Sequence, residues 1–421
     1  MHRRRFLRRA ALGTAVTGGA LPAWLRSGAE AGGLPAPAAI PQLGGNEKLP
    51  VGFVGCGGRG RTLLDYFLRR KDIEVRGVCD VYEPRLQAAA AAASPTAGAY
   101  TDYRELFDRK EIQAVVIATP DHWHARMVID AVEAGKDAYV EKPLCHTVEE
   151  GFSMIDAVAR TQRVVQVGTQ RRSYDLFLEG KRVFDASGCG KVRLVTSWWY
   201  NQQTSLGRGK IEGKLDWKKW LGSAPQRPVD DLRFFNWYYF WDYSGGLMIG
   251  QAAHMIDCVN MILGSTYPTA VTAAATPTHL DGAEVPETTN IAVEYADDYL
   301  LVFTLGYAAM VYLPPNDLLA QFHGLNARFD IGRENFALYP APDIRKGERE
   351  LRASVQKEMY GTFPDATAQH IEDFVACVRR RGTPHATVEV ANYTNVALCM
   401  AMESIRTGRR IRFDPATKRT S

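Results

Sequence analysis

Apolar positions fall into two regimes along the chain. In the first, short continuous apolar runs at residues 51–54, 73–79, 114–118, 138–140 and 164–167 alternate with segments whose apolar residues recur at helical spacing. Each run reads as a strand covered on both faces. Between them, Leu63, Leu64, Phe67 and Leu68 mark a first helix, and residues 82–93 and 103–110 mark two more. Met127, Val128 and Val132 define a fourth helix that stops at Gly135, and residues 148–159 form a fifth. Alternation of this kind predicts an α/β unit with a doubly wound parallel sheet, whose ligand crevice lies at the carboxyl ends of the strands.

The second regime begins near residue 171. Strand-like runs at 192–199, 270–275, 289–295 and 299–307 are not regularly separated by helices, which predicts a second α/β domain with a large open, mostly antiparallel sheet. An aromatic segment, 234–243, lies between them. Ser244-Gly245-Gly246 then opens a helix on which His254 and Asp257, three apart, share a face. Two closing helices, 369–379 and 388–405, are expected to pack back on the first domain. The expected boundaries are 1–47 for a leader and linker, 48–170 for the first domain and 171–421 for the second.

Charge and composition narrow the classes. Lys and Arg exceed Asp and Glu by four in 421 residues, and five of the first nine residues are arginine. The basic balance therefore belongs to the N-terminus, and a nucleic-acid partner is not expected. Arg3-Arg4-Arg5-Phe6-Leu7-Arg8 has the twin-arginine order, followed by an uncharged stretch and a small-residue site at Ala29-Glu30-Ala31. That stretch is too short and too weakly apolar for a stable membrane anchor. The expectation is a periplasmic or extracytoplasmic protein exported folded. Seven dispersed cysteines without ligand spacing predict neither a disulfide framework nor a metal site.

The chemistry starts at Gly55-Cys56-Gly57-Gly58-Arg59-Gly60, a GxGxxG turn between the first strand and the first helix. Gly55 permits the turn, Gly57 and Gly58 with Arg59 admit a pyrophosphate to the helix N-terminus, and Gly60 lets helix and strand approach. Asp80 ends the second strand at about the distance expected of the carboxylate that takes the ribose hydroxyls, which favours NAD. Arg59 and Arg85 lie close enough in sequence to leave NADP open. Two further strand ends carry Thr119-Pro120-Asp121-His122-Trp123-His124 and Glu141-Lys142-Pro143. Asp121 is expected to cap the helix that follows it.

Taken together, the glycine turn, Thr119-Pro120 with His124, Glu141-Lys142-Pro143, and Gly245-Gly246 followed by His254 and Asp257 resemble the Gfo/Idh/MocA oxidoreductases, in a form similar to their exported branch. The resemblance implies a Rossmann domain followed by a substrate domain whose open sheet often makes a homo-oligomer contact. It implies cofactor contacts from Gly55, Gly57, Gly58, Arg59, Gly60, Asp80, Thr119, Pro120, His122, His124, Glu141 and Lys142. Lys142 is then the group that orients the sugar hydroxyl and His254 the general acid/base, with Asp257 available to hold the His254 ring. Arg171, Arg172, Tyr200, Asn236 and Trp237 are candidates for the sugar cleft, since aromatic faces pack on pyranose rings and amides meet hydroxyls. The implied reaction is NAD(P)-dependent oxidation of a carbohydrate or cyclitol alcohol, with a tightly held nicotinamide recycled in the site. Some relatives instead hydrolyse glycosides by transient oxidation, elimination, hydration and re-reduction.

One position departs from that pattern. The family commonly has Asp four residues before the histidine, where this chain has Gly250. Either Lys142 and His254 suffice, or a carboxylate such as Asp257 or Asp242 substitutes, or the reaction differs from ordinary dehydrogenation. A non-catalytic sugar-binding protein is the third class, against which the retention of Lys142 and His254 argues.

Overall fold

A computed structural model describes residues 47–421 of the chain. The expected twin-arginine leader and most of the linker lie outside those residues. The buried apolar runs become β1 (Leu49–Val54), β2 (Ile73–Cys79), β3 (Gly98–Tyr100), β4 (Ala114–Ile117), β5 (Asp137–Val140) and β6 (Val165–Val167). All pair in parallel, in the order β3-β2-β1-β4-β5-β6. β4 and β5 are buried along their whole length because helices cover both faces. Those helices are α1 (Gly58–Leu68), α2 (Glu83–Ala92), α3 (Tyr103–Phe107), α4 (His124–Glu133) and α5 (Val148–Thr161). Strand order reverses between β1 and β4, so a crevice opens there at the carboxyl edge.

The second domain contains α6 (Asp175–Ala186), β7 (Leu194–Tyr200), α7 (Trp217–Leu221), α8 (Asp231–Phe235) and α9 (Gly246–Leu263). Then come β8 (Pro268–Ala275), β9 (Thr288–Tyr295), β10 (Leu300–Gly306), β11 (Leu318–His323), β12 (Ala327–Gly332), β13 (Asn335–Pro340) and β14 (Val355–Glu358). The chain closes with α10 (Phe363–Arg380), α11 (Val388–Thr407), β15 (Ile411–Asp414) and β16 (Arg419–Thr420). Ten strands form one sheet, ordered β14-β13-β12-β11-β7-β10-β9-β8-β15-β16. β7 and β10 pair in parallel; the other neighbours run antiparallel.

α9 is apolar around most of its circumference because it is a core helix, 83% buried over its length. Its Met248 and Ile256 pack with Val396 and Met400 of α11 and with Leu301 and Phe303 of the sheet. α10 goes elsewhere. Its Ile371, Phe374 and Val378 share a core with Leu49, Phe67 and Val75 of the first domain.

The sheet is larger than the four strands expected from the sequence. In β11 and β12, Phe322, Phe329 and Ile331 are buried, but Gln321, Arg328 and Asp330 break up the apolar run. Those polar residues satisfy one another: Gln321 donates to the cross-strand Asp330 at 3.0 Å, and Arg328 donates to Asp330 at 2.9 Å. The helix α6, the strands β3 and β11 to β16, and the short helices α7 and α8 also go beyond the expected elements.

The glycine turn is packed at the limit of backbone contact. A Cβ on Gly60 would stand 1.9 Å from the Gly55 carbonyl oxygen, whereas one on Gly58 would meet nothing within 4 Å. Gly60→Ala is therefore expected to lower stability by about 1–3 kcal/mol in urea unfolding. Gly58→Ala should stay within about 0.5 kcal/mol of the parent.

Candidate active site

Gly55 turns the chain out of β1 with φ of 84°, and α1 starts at Gly58 with no acidic residue in its first turn. The free N–H groups of that turn face a cavity of 540 Å³ lined by Gly55, Gly57, Gly58 and Arg59. Gly60 lies beneath the loop, where its missing side chain lets α1 approach. Asp80 lines the same cavity, and its carboxylate accepts Cys56 N–H at 2.8 Å and Tyr82 N–H at 2.9 Å. Burial raises the Asp80 carboxyl above its ordinary pKa, while these two N–H groups and Arg85 pull it back. Arg85 stands over the Phe234 ring at 4.7 Å and borders the cavity near Gly57.

The cavity fits a dinucleotide. The glycine cradle leaves room beside an uncapped helix N-terminus. Thr119 Oγ1 and Gln170 Oε1 are buried on cavity residues without a protein partner. Gly55, Gly57, Gly58 and Arg59 would hold the pyrophosphate, Asp80 the ribose, and Thr119 with Pro120 the nicotinamide half.

At the far end, Lys142 follows β5 and His254 projects from α9, so the two domains each supply one group. Lys142 Nζ donates to the Gly250 carbonyl at 3.3 Å, one helical turn before His254. Burial lowers the Lys142 pKa, opposed by the carboxylates of Glu141 and Asp121. Burial likewise holds His254 well below 6.5, and the charges of Lys142, Arg171, Arg59 and Arg333 push in the same direction. At neutral pH the imidazole is thus held in its neutral form, and its Nδ1 has no protein partner. Glu141 stands behind Lys142, accepting Arg59 Nε at 2.7 Å and Lys142 N–H at 3.3 Å.

Several sequence candidates sit elsewhere. Asp257 does not hold the His254 ring; both of its carboxylate oxygens accept from Arg172 Nε, at 2.8 and 2.9 Å, in a buried ion pair. Arg172 is thereby occupied in the core rather than offered to a sugar. Arg171 is fully buried among Phe177, Trp199 and Phe363. Asn236 pins the Gly207 backbone through both its amide groups, and Tyr200 stacks on Trp198 along the sheet. His124 sits between two loops, with Nδ1 2.8 Å from the Pro143 carbonyl and Nε2 3.0 Å from the Thr119 carbonyl; the neutral ring that burial favours donates to one of them. His122 packs on Trp220 and Tyr243, away from His124's partners. Of the cleft candidates, Trp237 does line the cavity.

Asp121 does not cap α4. Its carboxylate accepts Ser244 Oγ at 2.6 Å, and burial raises its pKa to about 7. Tyr238 is the residue sequence reasoning missed: it lines the cavity, and its Oη lies 1.2 Å from where a Gly250 Cβ would be. The signal was Gly250 itself. Residue 250 is glycine because a phenol fills the space of its side chain. Asp242, the other carboxylate considered as a substitute, is engaged by Arg227 and Arg233.

These features define an NAD-binding oxidoreductase fold, with Lys142 and His254 meeting on the lining of its cofactor crevice. Residues 49–169 match the family model described as an oxidoreductase family NAD-binding Rossmann fold, and residues 192–307 match its C-terminal alpha/beta domain. The chain belongs to the Gfo/Idh/MocA oxidoreductase family. It is 37% identical over 177 residues to an alpha-N-acetylgalactosaminidase of Shewanella oneidensis, covering 39% of this chain and 38% of that protein. It is 36% identical over 180 residues, with the same coverages, to a glycosyl hydrolase family 109 protein of Shewanella sp. strain ANA-3. The chain thus spans well under half the length of these curated relatives. In fold it is similar to the WlbA dehydrogenase of Chromobacterium violaceum in complex with NADH and UDP-GlcNAcA (TM-score 0.68, 19% identity, 90% of this chain and 99% of that one). A levoglucosan dehydrogenase in complex with NADH and L-sorbose is similar to the same degree (TM-score 0.67, 19% identity, 87% and 99%).

Two outcomes separate frame from site. Arg172→Ala removes the ion-pair partner of the buried Asp257, so it is expected to cost about 3–5 kcal/mol in urea unfolding, while NADH affinity measured by fluorescence stays near that of the parent. Asp121 adds a pH dependence. A buried carboxyl with a raised pKa binds its proton more tightly folded than unfolded, so it subtracts stability as pH rises from about 4 to about 7. Asp121→Asn, which keeps an acceptor for Ser244, should raise the melting temperature more at pH 8 than at pH 4.

Proposed function

We propose that this chain transfers hydride between a bound nicotinamide and a secondary alcohol of a sugar, glycoside or cyclitol. The observation that carries the reading is the convergence of Lys142 and His254 at the inner end of a dinucleotide-sized cavity. Bound there, the nicotinamide supplies the hydride acceptor or donor. The chain supplies the rest. His254, kept neutral by burial and by the cations around it, takes the proton of the alcohol. Lys142 stabilises the negative charge that develops on the oxygen. Trp237, on the cavity wall, offers an aromatic face to a pyranose ring. Asp80 favours NAD over NADP, since its carboxylate repels a 2′-phosphate. The NADH and sugar ligands of the two structural relatives support the substrate class.

The reading extends to a cofactor that stays bound through turnover, to export by the twin-arginine route and to a homo-oligomer built on the open sheet. Support for the first two comes from the N-terminal sequence, because an exported enzyme meets no cytoplasmic nicotinamide pool. A second reading is a glycosidase that oxidises its sugar transiently. What favours it is the glycosidase naming of the curated relatives and the absence of a carboxylate at Gly250.

Mass identification of the nucleotide that co-purifies is expected to return NAD(H). Protein that neither carries nor binds nicotinamide excludes the reading. Aglycone release from glycosides without net NADH would select the glycosidase, and NADH accumulation the dehydrogenase. Lys142→Ala and His254→Ala should each lower kcat by at least about 100-fold. Because His254 stays unprotonated far into acid, the acidic limb of kcat/KM is expected below pH 6.5. A limb above that value would remove His254 as the base.

A further inference from the structure

Tyr238 occupies the place on α9 where the helix facing the reacting centre carries no side chain. Its Oη lies 1.2 Å, and its Cζ 2.5 Å, from the position of a Cβ on Gly250. Gly250 precedes His254 by one turn, so both lie on the same face of α9. The Gly250 carbonyl takes Lys142 Nζ at 3.3 Å. Three groups able to exchange or share a proton therefore gather around one turn of helix: Lys142 after β5, His254 within α9 and Tyr238 from the segment before it. All three line the cavity.

The Tyr238 ring is held in place. Trp237 and Tyr239 meet it edge-on at 5.5 and 5.9 Å. The turn that carries it is fixed by Glu284 N–H and Val285 N–H, which donate to the Tyr239 carbonyl at 3.0 and 3.1 Å. Burial, with Asp121, Tyr307 and Tyr239 acting in the same direction, keeps the phenol pKa well above 10. At neutral pH the hydroxyl keeps its proton. It can donate a hydrogen bond without adding charge beside Lys142.

Resting on the oxidoreductase reading above, we propose that Tyr238 is a third catalytic residue, whose hydroxyl donates a hydrogen bond to the substrate oxygen as negative charge develops there. In the oxidation direction the C–H bond breaks with its electron pair and hydrogen passing to the nicotinamide, the O–H proton passes to His254, and the C=O bond forms. Tyr238 keeps its proton throughout. Lys142 and Tyr238 then form a two-donor cradle for the oxygen, opposite the imidazole base.

The test compares Tyr238→Phe, which removes one oxygen, with Gly250→Ala, which keeps the phenol but drives it from its place. Readouts are kcat and KM for a carbohydrate that the parent turns over, NADH affinity by nicotinamide fluorescence, and melting temperature. Both variants are expected to lose about 100-fold in kcat, with NADH affinity changed by less than about threefold. The double variant should fall no further than either single one, because both remove the same hydrogen bond. Tyr238→Phe turning over within about threefold of the parent overturns the assignment. Loss of NADH binding together with turnover also overturns it, by making Tyr238 part of the cavity frame. A parent chain that binds NADH yet turns over no carbohydrate, in screens of both net redox and aglycone release, overturns the functional reading and the assignment with it. Parent turnover left intact by Tyr238→Phe overturns the assignment alone.

Discussion

The ion pair between Arg59 and Glu141 ties together the parts that make this site. Arg59 belongs to the first turn of α1 and Glu141 to the end of β5, and their 2.7 Å contact crosses the crevice mouth from the glycine loop to the EKP strand end. Glu141 is nearly buried, so without Arg59 its charge would be costly to keep there. Burial alone would weaken the guanidinium, but the Glu141 carboxylate more than offsets that and strengthens its hold on its proton. The same carboxylate accepts Lys142 N–H. Glycine loop, strand end and the Lys142 backbone are therefore fixed by one group.

From that tie the site can be traced outward. Lys142 reaches across to the backbone of α9, and α9 reaches back with His254. The buried His124 ring, wedged between the Thr119 and Pro143 carbonyls, packs the two strand-end loops together. The Ser244–Asp121 bond joins the start of α9 to the end of β4. Each half of the chain thus supplies one of the two groups, Lys142 and His254, that meet on the cavity wall. For the proposed reaction, a substrate alcohol bound between them would meet both groups in fixed positions, which removes much of the entropic cost of aligning reacting groups.

Much of this was legible in the chain, for physical reasons. The glycine turn, Asp80 and the EKP run are local signals: their chemistry is set by backbone geometry within a few residues, so spacing alone exposes it. The parallel strands are legible because burial on two faces writes continuous apolar runs. What spacing could not give were side-chain partners distant in sequence, such as Arg172 with Asp257 and Asp121 with Ser244. Asp257 looked available because its helix partner His254 is visible in sequence, while its ion-pair partner is not. The aromatic run at 234–243 hid Tyr238 for another reason. Phe234, Phe240 and Tyr243 are core residues and Trp237 and Tyr238 face the cavity, yet hydrophobicity is alike for both. Only the turn at Trp237–Tyr239 sorts them.

The return of α10 to the first domain has a consequence for how the molecule is made. β1, α1 and β2 present an apolar face that is closed by Ile371, Phe374 and Val378, and Gln166 bonds the His370 carbonyl across 204 residues of sequence. On the ribosome, the nucleotide-binding half thus emerges complete in secondary structure but incomplete in its core, and must wait for α10, in the last seventh of the chain. High contact order of this kind slows folding and leaves a sticky surface exposed in the meantime. The core of the first domain is thus completed only by α10. A segment cut at its sequence boundary would carry the whole glycine motif and lack the helix that covers its core.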